Sequence, residues 1–171
     1  MHEITGSLEY FYMSSFQTDF GWMRSISDGS SLVRLDWNQI GWREPDHPDH
    51  VSRETKSQLQ AFFNRRLKQF ALPLSPAGKS ATAQYWLNSM ANIPYGTLMS
   101  YGTFASFAGK PKAARAAGSI CASNPIPIIY PCHRVVHKDG TLGNYGGGSD
   151  QYPAHPDNLM RKTALIRLEC F

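Results

Sequence analysis

One segment of the sequence combines residue types that could do covalent chemistry, Pro-Cys-His-Arg at positions 131–134. The chain has only three cysteines, and Cys132 is followed at once by a histidine and an arginine. A cysteine attacks as the thiolate, and because a free thiol has a pKa of about 8.5 it needs a nearby base or positive charge at neutral pH. His133 and Arg134 are the obvious candidates. A second interpretation stays open, since free cysteines are often small buried packing groups.

The remaining cysteines and histidines give little support to a metal site or a disulfide framework. The cysteines at positions 121, 132 and 170 are odd in number and lack C-x-x-C spacing. His47 and His50 stand in the polar, proline-broken stretch REPDHPDH, which is typical of a solvated loop. We therefore expect no metal and no cofactor.

The nine residues that end at Cys132, NPIPIIYPC, predict a rigid mounting for the thiol. Each of the three prolines fixes one φ angle, and the isoleucines would anchor the segment in a core. Neighbouring side chains of an extended strand point to opposite faces, so His133 reaches Cys132 only if the backbone turns or a water intervenes. A histidine base also needs an acid to orient it. Glu169 is the only carboxylate in the last helical stretch, NLMRKTALIRLECF.

A glycine-rich stretch, GTLGNYGGG, follows the cysteine closely at residues 140–148. Its glycines match neither G-x-G-x-x-G nor a P-loop, which excludes a nucleotide-phosphate cradle of those types. Two interpretations remain. Tyr145 and the glycines could form a backbone-lined wall beside a flat ligand, or the stretch could be an ordinary glycine loop.

The elements that must position this chemistry include two short predicted helices in SYGTFASFAGKPKAARAAGSICASNP, residues 100–125. Ser100 or Thr103 would cap the first helix, Gly109 would end it, and Pro111 suits the first turn of the second. A helix, a tight turn and a second helix outline a helix-turn-helix. The pattern alone is weak, because most helical hairpins bind nothing.

Two details favour a nucleic acid as the partner of this outline. Lys110, Lys112 and Arg115 stand at the turn and at the start of the second helix. A run of alanines with Gly118 would let that helix approach a groove, although close helix packing explains the small residues equally well. The net charge of +4 and the pI near 9.0 permit a polyanionic partner without requiring one.

The first part of the chain predicts a small sheet followed by a helix. LEYFYMSSF (8–16) and SSLVRLDW (30–37) predict strands, and the intervening Asp28-Gly29 pair predicts a hairpin turn. The spacing of apolar residues predicts a helix over 51–70, with Ser52 as its cap. Cations at positions 65, 66 and 68 then crowd its C-terminal half.

The prolines and glycine of ALPLSPAGKS predict a domain boundary near Ser75 to Gly78. Beyond it the sequence predicts a helix from Ser80 to Asn92, with Tyr85, Trp86 and Met90 in the core. No apolar run approaches the roughly 18 residues that a membrane span needs. The N-terminus lacks the basic and apolar regions of a signal peptide, so we expect a cytoplasmic protein.

The stretch NPIPIIYPCHRVVHKDGTLGNYGGG resembles the active-site signature of the O6-alkylguanine-DNA alkyltransferases, and SYGTFASFAGKPKAARAAG resembles the helix-turn-helix of that family. The resemblance covers the C-terminal half, and the N-terminal half matches in outline. It implies an α+β fold. Residues 1–75 would form a small N-terminal α/β (RNase H-like) domain, and residues 76–171 a mostly helical, winged helix-turn-helix domain that binds DNA and accepts the alkyl group.

The function that this resemblance implies is DNA repair without a cofactor. A monomer would bind double-stranded DNA, flip O6-alkylguanine out of the duplex and transfer the alkyl group irreversibly to its own cysteine. One molecule would repair one lesion. In this chain Cys132 matches the acceptor, His133 the water-linked general base, Glu169 the acid that orients it, and Asn124 the hinge asparagine.

The resemblance also assigns residues to the substrate pocket and to the DNA contact. Arg115 resembles the finger that replaces the flipped base, and Tyr101 the tyrosine that helps to rotate it out. Val135, Tyr145 and Gly146 would line the pocket. The resemblance assigns these residues to the DNA contact: Lys110, Lys112, Ala113, Ala114, Arg115 and Gly118.

Two of the departures from the family follow Tyr145 in the sequence. Gly146 stands where the family often has a serine, so we expect a backbone N–H as the donor there. GSDQYPAHPDN, residues 148–158, looks like an insertion. Two other functions fit the sequence less well. A non-catalytic binder of alkylated DNA is disfavoured because the cysteine is kept, and a cysteine hydrolase or thiol redox enzyme is disfavoured by the helix-turn-helix with Arg115.

Overall fold

The computed structural model describes residues 11–38 and 41–170. The chain divides into two compact units between Ala77 and Gly78. Helices and small sheets occur together, which confirms the prediction of a chain with mixed α and β structure. Among the helices of these described ranges, none has the length and apolar character that a membrane crossing requires.

The first unit contains an antiparallel sheet of three strands in the order β1-β2-β3. They are β1 (Tyr12–Thr18), β2 (Gly21–Ser27) and β3 (Leu32–Asn38). The predicted turn at Asp28 is confirmed, since its Oδ1 accepts hydrogen bonds from the backbone N–H groups of Ser30 and Ser31. Positions 8–10 of the first predicted strand lie outside the described residues.

The prediction missed β2, which the predicted hairpin treated as part of a connection. The sequence of β2 does not alternate apolar and polar residues as a half-buried strand does. Four consecutive residues, two apolar and two polar, are buried instead: Met23, Arg24, Ser25 and Ile26. Ser25 is satisfied by tertiary hydrogen bonds, since its Oγ donates to the carbonyls of Ser14 and Ser52. Hydrogen bonds between residues so far apart in the sequence produce no periodic pattern from which a strand could be predicted.

Helix α1 (His50–Phe63) is shorter than predicted and has a different cap. The cap is Asp49, whose carboxylate accepts from the N–H of Ser52, and the Ser52 hydroxyl accepts from the N–H of Asp49 in return. The chain leaves the helix at Arg65, which has a left-handed φ of 59°. The predicted placement of the cations at 65, 66 and 68 inside the helix is therefore wrong.

The second unit begins with α2 (Ala81–Ala91), capped by Ser80 as predicted. Trp86 and Met90 are buried, in agreement with the prediction. Tyr85 was also expected in the core, and this is wrong. Half of its surface is exposed, and its hydroxyl donates to the carbonyl of Ala108.

Helices α3 (Tyr101–Phe107) and α4 (Ala114–Ala122) pack against one another. Ser100 is the cap of α3, because its Oγ accepts from the N–H of Thr103. The prediction that Pro111 lies in the first turn of α4 is wrong. A separate turn, closed by the bond from the N–H of Ala113 to the carbonyl of Lys110, precedes the helix.

Two short strands and the last helix complete the second unit. Strand β4 (Met99–Ser100) pairs in parallel with β5 (Val135–Val136), so the entry to α3 lies beside the backbone that follows Cys132. Helix α5 (Pro156–Cys170) buries one face. The buried residues of α5 are Asn158, Arg161, Lys162, Leu165 and Glu169.

Candidate active site

Cys132 opens a single 3-10 turn, Cys132–Arg134, in the interior of the second unit. Its N–H donates to the carbonyl of Tyr130 at 2.8 Å, and the N–H of Arg134 donates to the carbonyl of Pro131 at 3.0 Å. Cys132 is 2% exposed and His133 is fully buried. The backbone thus turns at Cys132, which is one of the two possibilities that the sequence left open, and the two residues are not part of an extended strand. Residues 131–136 are called the cysteine segment below.

The approach to the cysteine segment is anchored as its prolines and isoleucines predicted. Ile126, Ile128 and Ile129 are all buried. Ile128 has a φ of 74°, an unusual conformation for a β-branched residue that costs on the order of 1–3 kcal/mol. The surrounding packing must therefore hold this turn in place.

Asn124 is the side chain that closes the turn before Cys132. Its Nδ2 donates to the carbonyl of Tyr130 at 2.7 Å, and its Oδ1 accepts from the N–H of Ile126 at 3.0 Å. The buried amide also hydrogen-bonds to Cys132. Asn124 consequently fixes the backbone on both sides of the turn and contacts the thiol.

The imidazole of His133 is held by Glu169, the acid that the sequence singled out. Nε2 of His133 lies 2.7 Å from Oε1 of Glu169. Arg134 shares the same carboxylate, with its Nε 2.9 Å from Oε2 and its Nη2 2.8 Å from Oε1. The backbone N–H of Gly96 donates to Oε2 as well. The sequence suggests Arg134 as a source of positive charge for the thiol. In the structure its guanidinium instead donates hydrogen bonds to the carboxylate of Glu169.

These contacts determine the protonation states of the pair. Burial opposes ionisation of Glu169, but hydrogen bonds from His133 and Arg134 outweigh it and lower its pKa to about 2. Burial lowers the pKa of His133, which favours the neutral imidazole. A carboxylate only accepts hydrogen bonds, so Nε2 carries the proton and Nδ1 keeps its lone pair. Nδ1 is buried and has no hydrogen-bond partner among the described residues.

The thiol itself is in an environment that disfavours the thiolate. Burial raises the pKa of Cys132, while the Asn124 side chain, the Lys162 charge and backbone N–H groups pull it down. At neutral pH the thiol would therefore need a base to take its proton before it could attack. A neutral imidazole with a free nitrogen on the adjacent residue is suited to that task.

The glycine loop (residues 140–148) forms one side of the site. Tyr145 is buried, and its N–H donates to the carbonyl of Pro153 at 2.9 Å. A Cβ on Gly147 would lie 3.5 Å from Sγ of Cys132 and 3.1 Å from the carbonyl oxygen of Asn124. A Cβ on Gly146 would approach Ala122 and Pro153 to 3.0 Å. Gly147 was missed by the sequence argument, since nothing in a run of three glycines distinguishes the one that touches the sulfur.

Tyr101 lies next to the glycine loop, at the first position of α3. It is half-buried, and burial raises the pKa of its hydroxyl. Its ring lies 5.2 Å from that of His137. A Cβ on Gly143, which has a φ of +68°, would come within 2.6 Å of the Tyr101 oxygen, so this position requires glycine.

The remaining predicted positions lie on β5 and on the surface around α4. Val135 is fully buried. Lys110, Lys112, Ala114 and Arg115 are exposed, whereas Ala113 and Gly118 are half-buried. Cys121, further along α4, is buried. The structure therefore brings Cys132, His133, Asn124 and Glu169 together in the interior and leaves the cations on the surface.

Over residues 11–38 and 41–170, no three or more His, Cys, Asp or Glu side chains are grouped so that they could hold a metal ion. The cysteine at 132 and the histidine at 133 are engaged with Asn124 and Glu169 instead.

Comparison with known proteins gives concordant matches. The family model for the DNA-binding domain of 6-O-methylguanine DNA methyltransferase matches residues 81–170. The constitutive methylated-DNA–protein-cysteine methyltransferase of Bacillus subtilis is 33% identical over 160 residues, which are 88% of this chain and 95% of that protein. The methylated-DNA–protein-cysteine methyltransferase of Methanosarcina acetivorans is 44% identical over 145 residues, 81% of this chain and 92% of that protein.

Solved structures agree with these relatives. The crystal structure of Mycobacterium tuberculosis OGT in complex with DNA is similar with a TM-score of 0.76 at 33% identity, and the match covers 92% of each chain. The crystal structure of Mycobacterium tuberculosis O6-methylguanine methyltransferase is similar with a TM-score of 0.75 at 31% identity, covering 94% of this chain and 93% of that one.

Proposed function

This chain belongs to the O6-methylguanine DNA methyltransferase family, and on that premise we propose that it repairs alkylated DNA by transferring the alkyl group to its own Cys132. One observation carries the proposal. The buried Cys132 stands on a 3-10 turn next to a neutral imidazole, and that imidazole is fixed at 2.7 Å by an ionised Glu169.

The chemistry of the transfer follows from these side chains. Nδ1 of His133 would take the thiol proton through a water, since Glu169 holds Nε2 and leaves Nδ1 as the acceptor. The sulfur then forms a bond to the alkyl carbon while the bond from that carbon to O6 of guanine breaks. The electron pair of the broken bond stays with the guanine, which takes up a proton and is restored. The product S-alkylcysteine is a stable thioether, so each molecule reacts once.

The pocket for the flipped base would be lined by the glycine loop and β5. Gly147, on which a Cβ would lie 3.5 Å from Sγ of Cys132, would keep the space beside the sulfur open. The buried Tyr145 and Val135, together with Gly146, would line the rest of the pocket. The backbone N–H of Gly146 would donate to the substrate oxygen in place of a serine hydroxyl. A flat base fits such a wall because glycines expose backbone without side chains.

The surface around α4 would be the DNA contact. Lys110 and Lys112 would bind phosphates, which position a protein without reading sequence. Ala113, Ala114 and Gly118 would allow close approach to the minor groove. Arg115 would occupy the space of the flipped nucleotide and recover part of the few kcal/mol that unstacking costs. Tyr101 would crowd the phosphate of that nucleotide and help it to rotate.

Finer features of the architecture belong to the same proposal. We assign an RNase H-like fold to residues 1–75, supported by the three-stranded meander and α1. We assign a winged helix-turn-helix to residues 76–171, supported by the α3–α4 pair. The protein would act as a monomer on duplex DNA that contains O6-alkylguanine.

A restriction assay tests the proposed repair. A duplex carries one O6-methylguanine inside a restriction site, so that the restriction endonuclease cuts only after the guanine is restored. We expect the cleaved fraction to rise with added protein and to stop at one repaired site per protein molecule. Stoichiometric transfer would be contradicted if the final cleaved fraction did not rise in proportion to the added protein. It would also be contradicted if one protein molecule restored more than one site. Binding without cleavage would favour the non-catalytic binder.

A further inference from the structure

Residues 149–158, called the inserted segment below, run from the end of the glycine loop into the first turn of α5. A buried side chain holds the backbone of this segment, since Nδ2 of Asn158 donates to the carbonyls of Tyr152 at 3.1 Å and Gln151 at 3.4 Å. Oδ1 of Asn158 accepts in turn from Nη1 of the buried Arg161 at 2.9 Å. These bonds fix the conformation of the segment against α5.

The inserted segment bonds to the glycine loop on both sides of one peptide group. The N–H of Tyr145 donates to the carbonyl of Pro153 at 2.9 Å, and the N–H of Ser149 donates to the carbonyl of Gly146 at 3.2 Å. The peptide group between these two bonds joins Tyr145 to Gly146, and it carries the N–H of Gly146. Because both partners belong to the inserted segment, this segment holds the peptide group in place.

The ring of Pro153 lies where a side chain at position 146 would be. A Cβ on Gly146 would lie 3.0 Å from Cγ and 3.4 Å from Cβ of Pro153, and 3.0 Å from the carbonyl oxygen of Ala122. A closed ring and a backbone carbonyl yield less than a flexible side chain, so this position is already filled. The glycine that stands where the family often has a serine therefore leaves the room that Pro153 occupies, and the two departures from the family are coupled.

We propose that Pro153 is a positioning residue of the base pocket, whose carbonyl and ring hold the peptide group of Gly146 so that its N–H is aimed at O6 of the substrate guanine. The inference deepens the proposed function and rests on it, since that N–H is the proposed donor to the substrate oxygen. Negative charge develops on O6 as its bond to the alkyl carbon breaks. A donor fixed at that position lowers the barrier to transfer, and a displaced donor does so less well.

The test compares Pro153→Ala, which removes the ring, with Pro156→Ala, which removes an exposed proline ring from the same segment. The single-turnover rate with free O6-benzylguanine is measured over a range of concentrations, which separates the limiting rate from the half-saturating concentration. Removal of a whole donor costs about 10²- to 10³-fold, so we expect its displacement in Pro153→Ala to lower the limiting rate about tenfold. The half-saturating concentration should stay close to that of wild type, and Pro156→Ala should match wild type in both values.

Iodoacetamide separates the donor from the thiol, because it alkylates Cys132 without presenting an O6 atom. Mass spectrometry of the peptide that contains Cys132 should give the same iodoacetamide rate in wild type, Pro153→Ala and Pro156→Ala. A folded Pro153→Ala that slows equally with both reagents would overturn the inference, since the effect would then lie on the thiol.

Gly146→Ala approaches the same contact from the other side. Its Cβ would press on the Pro153 ring, so we expect a lower limiting rate with O6-benzylguanine than in wild type. Adding Pro153→Ala removes the ring atom that lies closest. The further loss caused by Gly146→Ala should therefore be smaller by about threefold or more in the Pro153→Ala background, as contacting residues are not additive.

Two further results would overturn the inference. One is a wild-type limiting rate in Pro153→Ala that a thermal melt shows to be folded. The other, decisive if Pro153→Ala does not fold, is a wild-type limiting rate in Gly146→Ala, because a Cβ pressed on Pro153 must displace the peptide group. A separate outcome concerns the proposed function. Wild type that reacts with iodoacetamide, but with neither O6-benzylguanine nor O6-methylguanine in duplex DNA, would refute that function and this inference with it.

Discussion

Nε2 of His133 lies 2.7 Å from Oε1 of Glu169, and this pair decides which nitrogen of the ring can take a proton. The carboxylate is ionised because hydrogen bonds from His133 and Arg134 overcome its burial and lower its pKa to about 2. Nε2–H is therefore the donor to Glu169, and Nδ1 is left as the acceptor. The base that the thiol needs is oriented by a residue 36 positions further along the chain.

Glu169→Gln should slow alkyl transfer strongly without removing the side chain. A glutamine has a neutral oxygen and an NH₂ group, so it can present a donor to Nε2 and favour the wrong tautomer. We expect the rate with O6-benzylguanine to fall about 10²- to 10⁴-fold, the usual contribution of general base catalysis. Asp139→Asn, at an exposed turn, is the matched control and should react at the wild-type rate. Wild-type kinetics in Glu169→Gln would refute the orienting role.

Acid should destabilise the second unit through Glu169. Its folded pKa of about 2 lies below the ordinary 4.5, so its stabilisation is fully present above pH 4.5 and is lost as the pH falls towards 2. The difference corresponds to on the order of 3 kcal/mol. Chemical unfolding from pH 7 to pH 2 should show this loss in wild type. In folded Glu169→Gln the loss should be smaller by about that amount, and an equal loss in both proteins would contradict the assignment.

Gly147→Ala should obstruct the sulfur. The added Cβ would lie 3.5 Å from Sγ of Cys132 and press on the Asn124 carbonyl at 3.1 Å. We expect at least tenfold slower reaction with O6-benzylguanine and unchanged binding to undamaged duplex. Gly102→Ala is the control, because its Cβ would meet only the Ser100 hydroxyl at 3.9 Å. Equal rates in the two variants would show that Gly147 does not border the reacting space.

Arg115→Ala should separate duplex repair from cysteine chemistry. Arg115 is exposed at the start of α4 and has no part in the interior cluster around Cys132. Its loss should reduce repair of O6-methylguanine in duplex DNA by about tenfold or more, since unstacking then goes uncompensated. The reaction with free O6-benzylguanine should stay at the wild-type rate. Equal losses on both substrates would count against the finger role, and Arg53→Ala in α1 serves as the control for a lost surface cation.

Much of the local structure was predictable because local interactions decide it. Ser80 and Ser100 cap their helices through bonds to residues three positions ahead, and such caps are visible in the sequence. The rigid, buried approach to Cys132 followed from its prolines and isoleucines. The end of α1 was not predictable in the same way. Arg65 adopts a left-handed conformation that is usual for glycine, so the residue type at this position does not indicate that the helix ends here.

The contacts that complete the site depend on tertiary structure. Arg134 was expected to act on the thiol, yet its guanidinium joins Glu169 from α5 and the carbonyl of Ile93. No sequence pattern marks Lys162 or Gly147 as part of the site, because the residues that they contact lie at distant positions in the chain. Residue types left Cys132 open between a reactive and a packing cysteine, the family resemblance favoured the reactive one, and the folded chain shows what surrounds it.

The most direct measurement of the central claim is the mass of the protein after it meets a single lesion. Wild type and Cys132→Ala are each incubated with a duplex that contains one O6-methylguanine, and intact mass and peptide maps are recorded. We predict that wild type gains one methyl group, located on the peptide with Cys132, and that Cys132→Ala gains none. Unmodified wild type that still binds the duplex, or a methyl group on Cys121 or Cys170, would contradict the account.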